Sequence, residues 1–105
     1  MRSITIEDYE LFEMIEQLKD TDLKIIIYLF KVGEAPIAKI VADNRMSFAT
    51  VYRSLKVLHE FKIVGERAEG NKRILFLTEV GKEVASRLLE IDDILRAARE
   101  SPGSS

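Results

Sequence analysis

The fold is decided by residues 36–61, which read PIAKIVADNRMSFATVYRSLKVLHEF. Two helical patterns lie on either side of a short polar segment that begins at Asn44 and ends at Ser47. Asn44 tolerates the left-handed backbone conformation and Ser47 is a good N-cap, so this segment predicts a tight turn. We expect a short helix over 37–43 and a longer one over 47–61.

The longer helix has one apolar face and one basic face. Val51, Leu55 and Leu58 are spaced to face a core, with Phe48 beside them. The opposite direction, flanked by Thr50 and Tyr52, holds Ala49, Arg53, Lys56 and Glu60. A helix that enters a DNA major groove needs a slim first turn, and Arg or Lys that can reach guanine edges or phosphates. The pattern favours DNA binding, although solvated charges on any surface helix would look the same.

Each residue of this face has an expected role. Arg53 would contact a base or a phosphate, and Lys56 a phosphate. Thr50 and Tyr52 would position the helix, while Ser47 and the free backbone N–H groups of the first turn could hold a phosphate.

Residues 63–77 contain two apolar-containing runs around Gly70-Asn71, which predicts a β-hairpin. Three basic residues cluster around its tip: Arg67, Lys72 and Arg73. A basic tip beside a basic helix can span a major groove and the neighbouring minor groove or backbone. The alternative is that these charges only protect edge strands from pairing with other chains.

The flanking segments complete the order of elements. Helices are predicted over 7–19, 22–32 (capped by Thr21 or Asp22) and 79–99. The segment Gly33 to Pro36 is predicted to end the second helix and begin the third, and residues 101–105 to form a frayed tail. The whole is a single domain over 1–100, mainly α with a small β-hairpin, in the winged helix-turn-helix order.

The last helix carries an apolar seam that one helix cannot bury alone. Its members recur at intervals of 4, 3, 4 and 3 residues: Val84, Leu88, Ile91, Leu95 and Ala98. We expect a homodimer in which the first and last helices join, presenting two recognition surfaces to half-sites about 34 Å apart. The alternative is that the seam packs on the chain's own first and second helices.

Composition narrows the function classes. The 105 residues carry a net charge of −2 and no cysteine, which excludes disulfides, thiolate nucleophiles and thiolate metal sites. Residues 36–73 hold eight basic and four acidic side chains, so a basic block lies within an acidic chain. The longest apolar run has six residues and no secretory signal is evident, so we expect a cytoplasmic protein without membrane contact. Frequent Ile, Glu, Lys and Arg with a single Gln favour a thermophilic source.

Nothing in the sequence indicates catalysis. His59 is the only histidine, and no second one exists to form a metal cluster, so it is interpreted as structural. There is no phosphate-binding glycine-rich loop and no nucleophile with a paired histidine motif. We expect no enzyme activity, no cofactor and no metal site.

The chain resembles the MarR-like winged-helix transcription regulators, with ArsR-like and related archaeal regulators close behind. The resemblance covers residues 34–89 and rests on Pro36–Ala42, Ser47–Leu58 and the Leu-Thr-x-x-Gly junction at 77–81. Three positions depart from the family: Lys62 and Asn44 stand where glycine is usual or frequent, and Asn71-Lys72-Arg73 keeps only the basic member of an Asp-x-Arg pair.

The resemblance implies a sequence-specific, double-stranded DNA-binding regulator, a repressor acting as a homodimer. The DNA-binding residues it implies, together with the patterns above, are Ser47, Ala49, Thr50, Tyr52, Arg53, Lys56, Arg67, Asn71, Lys72 and Arg73. It also implies a small-molecule effector of unknown identity, whose site Tyr9, Phe12, Tyr28 and Phe30 could line. Core packing is the simpler explanation of these four aromatic residues.

A competing function is a winged helix that serves as a protein-interaction module, because one fold can do both. Exposed basic side chains on the fourth helix favour DNA. A single exposed patch of Phe48, Tyr52 and Val57 would favour a protein groove instead.

Overall fold

The computed structural model describes residues 13–101. In that part of the chain it has five helices and three strands: α1 (Glu13–Glu16), α2 (Asp20–Val32), β1 (Glu34–Pro36), α3 (Ile37–Asn44), α4 (Phe48–Glu60), β2 (Val64–Glu69), β3 (Lys72–Leu77) and α5 (Glu79–Glu100). The strands form one antiparallel sheet in the order β1-β3-β2. The fold is therefore mainly helical with a small sheet.

The first predicted helix, over 7–19, ends earlier than expected. Its described part stops at Glu16, because the backbone N–H groups of Gln17 and Leu18 donate to carbonyls only three residues back and tighten the last turn. Residues 7–12 of that prediction, and residues 102–105 of the predicted tail, lie outside the described residues.

The start of α2 differs from the prediction that Thr21 or Asp22 caps it. The helix begins at Asp20, and Lys19 is its N-cap. The buried Asp22 carboxylate reaches back and accepts the backbone N–H of Lys19 at 2.8 Å. Thr21 accepts a hydrogen bond from the Ser54 hydroxyl at 3.1 Å, which ties α2 to α4. Asp22 therefore stabilises the helix start from within the first turn, and Thr21 joins the helix to α4.

The segment Gly33 to Pro36, which the sequence predicts only to end one helix and begin the next, also contains β1. Gly33 ends α2 with a positive φ of 88°, and the extended backbone that follows pairs Ala35 with Leu75. Ala35 is buried in the core beneath the sheet. A strand of three residues is too short for periodicity to reveal, so the hairpin gains an unpredicted third strand.

Two non-glycine residues adopt the left-handed conformation at helix ends. Arg45, not Asn44, takes this role after α3, with φ 54°. Asn44 remains helical and its side-chain amide donates to the Ile40 carbonyl at 2.9 Å. Lys62, at the position where the resemblance expects glycine, has φ 57° and closes a Schellman motif in which Ile63 N–H donates to the Leu58 carbonyl at 2.9 Å. Lysine therefore supports the same exit geometry at some conformational cost.

The core lies where α2, α3 and α4 meet the sheet. Its fully buried side chains are Ile25, Ile26, Leu29, Ile40, Val51, Leu58 and Leu75. Phe48, predicted beside the core face of α4, is 51% exposed. It is the first residue of the helix, and burial begins one turn later at Val51, so the core does not reach that end.

The start of α5 is fixed against the exit of α4. Thr78 caps α5 by accepting the Gly81 backbone N–H at 3.1 Å, and its hydroxyl donates to the Lys62 carbonyl at 2.6 Å. A Cβ on Gly81 would lie 2.1 Å from the Ile63 carbonyl oxygen. The Leu-Thr-x-x-Gly junction is thus a close backbone contact that only glycine permits.

Within residues 13–101, no helix combines the length and the apolar content that crossing a bilayer requires. The longest of the described helices is α5, and its second half extends away from the core, since every residue from 91 to 100 is exposed.

Candidate nucleic-acid interface

The first turn of α4 is small and capped. The Ser47 hydroxyl oxygen accepts the backbone N–H of Thr50 at 3.1 Å, and the Ser47 hydroxyl donates to the Thr50 hydroxyl at 2.9 Å. Ala49 is exposed and adds little bulk. The remaining first-turn N–H groups point outward from the positive end of the helix dipole. This end of α4 can approach a phosphate closely.

The exposed face of α4 carries the basic side chains that the sequence predicts there. Arg53 and Lys56 are both exposed, and neither makes an ion pair within the described residues. The Arg53 guanidinium donates to the Thr50 hydroxyl at 3.3 Å, a bond that holds it near the first turn. Two exposed cations that pair with no carboxylate of residues 13–101 are therefore available to an anionic ligand.

One flank of α4 is joined to the hairpin formed by β2 and β3. Tyr52 and His59, two turns apart on the same flank, face Arg73 and Glu66. The Arg73 guanidinium lies 5.8 Å from the centre of the Tyr52 ring and donates to both Glu66 carboxylate oxygens, at 2.6 and 2.9 Å. His59 Nε2 lies 3.4 Å from Glu66 Oε1.

Glu66 is the centre of this cluster. Its side chain is 24% exposed, and burial by itself raises the pKa of its carboxyl. Hydrogen bonds from Arg73 and His59 outweigh burial and hold the pKa below its ordinary value. The Glu66 carboxylate therefore stays ionised between the helix and the hairpin.

Arg67 lies on the opposite face of the hairpin. Side chains alternate along β2, so Glu66 faces α4 while Arg67 faces away. Arg67 pairs with Glu34 of β1, and with Glu69 at 3.0 Å. The sequence groups Arg67 with Lys72 and Arg73, but the structure separates Arg67 from the α4 surface. Glu34, whose strand was not predicted, is the partner that sequence reasoning missed.

The tip of the hairpin consists of Gly70 and Asn71, with Lys72 next to them. Gly70 has φ 62°, as a tight turn requires, and both Asn71 and Lys72 are exposed. Lys72 makes no ion pair with any described residue. Of the three basic residues of the hairpin, it is the one that has no carboxylate partner among residues 13–101. A further exposed cation that the sequence analysis did not single out, Arg45, lies in the turn just before α4.

The apolar residues that would mark a protein groove do not form a single patch. Phe48 and Tyr52 are 51% and 48% exposed and lie one turn apart. Val57 is half-buried and points about 140° away from Tyr52 around the helix. Only an aromatic pair remains on this surface.

The seam of α5 divides into two parts. Val84 and Leu88 are half-buried against the chain's own core. Ile91 and Leu95 are 53% and 64% exposed, and Ala98 is exposed as well. A groove of about 630 Å³ runs beside the first part, lined mainly by apolar residues of α1, the α4 exit and α5. The first part of the seam therefore packs on the chain's own core, while the second part is left exposed among the described residues.

The aromatic residues considered for an effector are not gathered into a common site in the described residues. Tyr28 donates to the Asp43 carboxylate at 2.6 Å, and burial together with this bond raises its pKa to about 12. It borders a shallow depression that Phe30, 40% exposed, does not line. Tyr9 and Phe12 lie outside the described residues. Across residues 13–101, no three acidic, His or Cys side chains are grouped as metal ligands.

No protein-family model matches the chain, and no curated protein matches it in sequence. Solved structures do match its fold. A MarR transcriptional regulator from Methanosarcina mazei superposes with a TM-score of 0.74 at 15% identity, over 89% of this chain and 70% of that one. A transcriptional regulator homologue from Pyrococcus horikoshii gives 0.71 at 17% identity, over 85% and 99%. Lactococcus lactis ZitR gives 0.68 at 21% identity, over 93% and 81%.

These structures confirm the predicted fold class. The chain has the winged helix-turn-helix architecture, in which the hairpin β2–β3 is the wing and α3 and α4 are the two helices of the helix-turn-helix. One of these structural neighbours is a MarR transcriptional regulator and another is a transcriptional regulator homologue.

Proposed function

We propose that this chain is a sequence-specific, double-stranded DNA-binding transcriptional regulator that acts as a homodimer. The observation that carries the proposal is the exposed face of α4. There Arg53 and Lys56 follow a slim, capped first turn and pair with no carboxylate of residues 13–101. This is the shape and charge that a helix needs in a major groove. The likeness to solved transcriptional regulators supports it.

Contacts to DNA are assigned by position and charge. Ser47, Ala49, Thr50 and the first-turn N–H groups meet the backbone at the groove edge, and Arg53 reads a base. Lys56 and Lys72 contact phosphates on either side, with Asn71 at the wing tip. Tyr52 and Arg73 lie between helix and wing. Arg67, held by Glu34 on the reverse face, secures the wing instead of contacting DNA.

The homodimer is supported by the exposed end of α5. Ile91, Leu95 and Ala98 continue the seam beyond the body, where no described element of the same chain covers them. In a dimer with a two-fold axis, these residues of one copy would be buried against α5 and the apolar groove of the other copy. Two α4 helices would then read half-sites about 34 Å apart. A dimer bound to promoter DNA in this way would act as a repressor. Adding the protein should then reduce transcription from a template that carries its binding site.

The proposal is tested by fluorescence anisotropy with mixed genomic duplex fragments at two salt concentrations. Binding that falls steeply with salt is expected, because released counterions drive phosphate contacts. The Arg53→Ala/Lys56→Ala variant should lose it. The Lys24→Ala/Lys31→Ala variant removes the same charge from the side of α2 turned away from the core, and it should bind as the unaltered chain does. Equal loss in both variants would contradict the assigned surface.

The exposed pair Phe48 and Tyr52 favours a second candidate, a protein-interaction module. Aromatic residues are frequent anchors in protein interfaces. Absence of duplex binding even at low salt would favour this second function over the first.

A further inference from the structure

We propose that Glu66 is a positioning residue for DNA recognition: it holds Arg73 over the Tyr52 ring and so fixes the wing against α4 in the orientation that reads sequence. The inference rests on the proposed DNA-binding function and deepens it. It assigns Arg73 to the contact between helix and wing rather than to phosphate binding.

The register of the wing puts the pair together. Ala68 lies opposite Arg73 and Glu66 opposite Leu75, so Glu66 and Arg73 are diagonal neighbours on one face of the hairpin. Long side chains reach across such diagonals. Arg73 Nη2 donates to both carboxylate oxygens of Glu66, at 2.6 and 2.9 Å, and this charge-assisted contact holds the end of the Arg73 side chain beside Glu66.

The same guanidinium also lies over the ring of Tyr52 in α4. Its carbon lies 5.8 Å from the centre of the Tyr52 ring, within the distance at which a cation is attracted to an aromatic face. His59, two turns further along α4, lies 3.4 Å from the same carboxylate. Glu66 is thus held from two points of α4, through Arg73 and Tyr52 at one and through His59 at the other.

The charges explain why Arg73 positions the wing against α4 and does not bind a DNA phosphate. Glu66 neutralises Arg73, so Lys72 is the basic side chain of the wing that pairs with no carboxylate of the described residues. Tyr52 is 48% exposed, so about half of its surface stays open to a ligand while Arg73 lies over the ring. An aromatic side chain held in this way suits apolar contact with a thymine methyl group or a sugar.

The test uses the duplex that the unaltered protein selects from a random-sequence pool, compared with a shuffled duplex of the same composition. Glu66→Gln releases Arg73 and adds one positive charge to the surface. Affinity for the shuffled duplex should rise, and the salt slope should steepen by about one. The ratio of selected to shuffled affinity should fall about tenfold, as for loss of one good base contact. A merely structural role would weaken both duplexes together.

Two further variants make the result specific. Glu69→Gln removes the same charge from the reverse face of the wing, where Glu69 pairs with Arg67, and it should change both affinities by one factor. Tyr52→Leu should lower the ratio as Glu66→Gln does, and the double variant should be no worse than either single one, because both break one contact chain. Additive losses would overturn the proposal.

A measurement without DNA separates this inference from the proposed function. The side-chain protons of Arg73 should show an upfield NMR shift from the Tyr52 ring, lost in both Glu66→Gln and Tyr52→Leu. If the unaltered protein binds no duplex, the proposed function and the positioning role both fall. If it binds and Glu66→Gln keeps the full affinity ratio or the full ring shift, only the positioning role falls.

Discussion

At the scale of single residues, the proposed DNA interface combines cations that have no ion-pair partner among residues 13–101 with cations that are already paired, and the two kinds should behave differently. Arg53 and Lys72 are exposed and make no ion pair within the described residues. Arg67 and Arg73 are already bound to carboxylates. The sequence predicts all four as DNA contacts because it shows only where the basic residues lie along the chain. It does not show which charges are already neutralised, since the partners come from other strands.

Arg53→Ala should weaken binding to the selected duplex by about 1 to 3 kcal/mol more than binding to a shuffled one. Lys72→Ala should weaken both duplexes alike and reduce the salt slope by about one. Titrations of both duplexes at several salt concentrations measure these differences. An equal loss on every sequence from Arg53→Ala would show that Arg53 contacts only phosphate.

The Glu66 cluster also predicts a pH dependence of stability. The pKa of Glu66 is lower in the folded chain than its ordinary value of 4.5, so the ion pair stabilises the fold above that pH. This contribution is lost as the pH falls through the lowered folded pKa. Glu66→Gln should therefore reduce the free energy of unfolding at pH 7, by up to about 1 kcal/mol for a partly exposed pair, and by less at pH 3. Urea unfolding at the two pH values measures it, and a difference that grows in acid would contradict the pairing.

At the scale of elements, the long periodic helices could be predicted and the short or context-dependent features could not. Helix α4 follows from the apolar spacing of Val51, Leu55 and Leu58. Strand β1 could not be predicted, because three residues carry no period and its pairing with β3 is a long-range contact. Arg45 and not Asn44 adopts the left-handed conformation, because Asn44 stays in α3 and its side-chain amide donates to the Ile40 carbonyl.

The junction between the wing and α5 carries a sharp prediction at this scale. Gly81→Ala would bring a Cβ to 2.1 Å from the Ile63 carbonyl oxygen, which is backbone and cannot rotate away. The start of α5 must shift, and we expect a loss of about 2 kcal/mol or more in unfolding free energy. Ser86→Ala, on the exposed side of the same helix, is the control and should change stability little. Equal stability of Gly81→Ala and the control in thermal unfolding would refute the close contact.

At the scale of the whole molecule, the exposed end of α5 argues for a second copy. Leu88 is half-buried in the chain's own core, so changing it would disturb folding as well as assembly. Leu95 is 64% exposed and separates the two effects. Leu95→Asp should give a folded monomer in sedimentation experiments and weaken binding to a duplex with two half-sites. A sedimentation coefficient of a monomer for the unaltered chain would remove the homodimer.

The most direct test of DNA recognition through α4 and the wing is amide NMR mapping of the unaltered protein, titrated with its selected duplex. We predict shifts concentrated at residues 47–56 and at the wing tip, residues 70–73, and absent from the Lys24 to Lys31 side of α2. Shifts confined to α2, or saturating shifts that persist unchanged in the Arg53→Ala/Lys56→Ala variant, would contradict it.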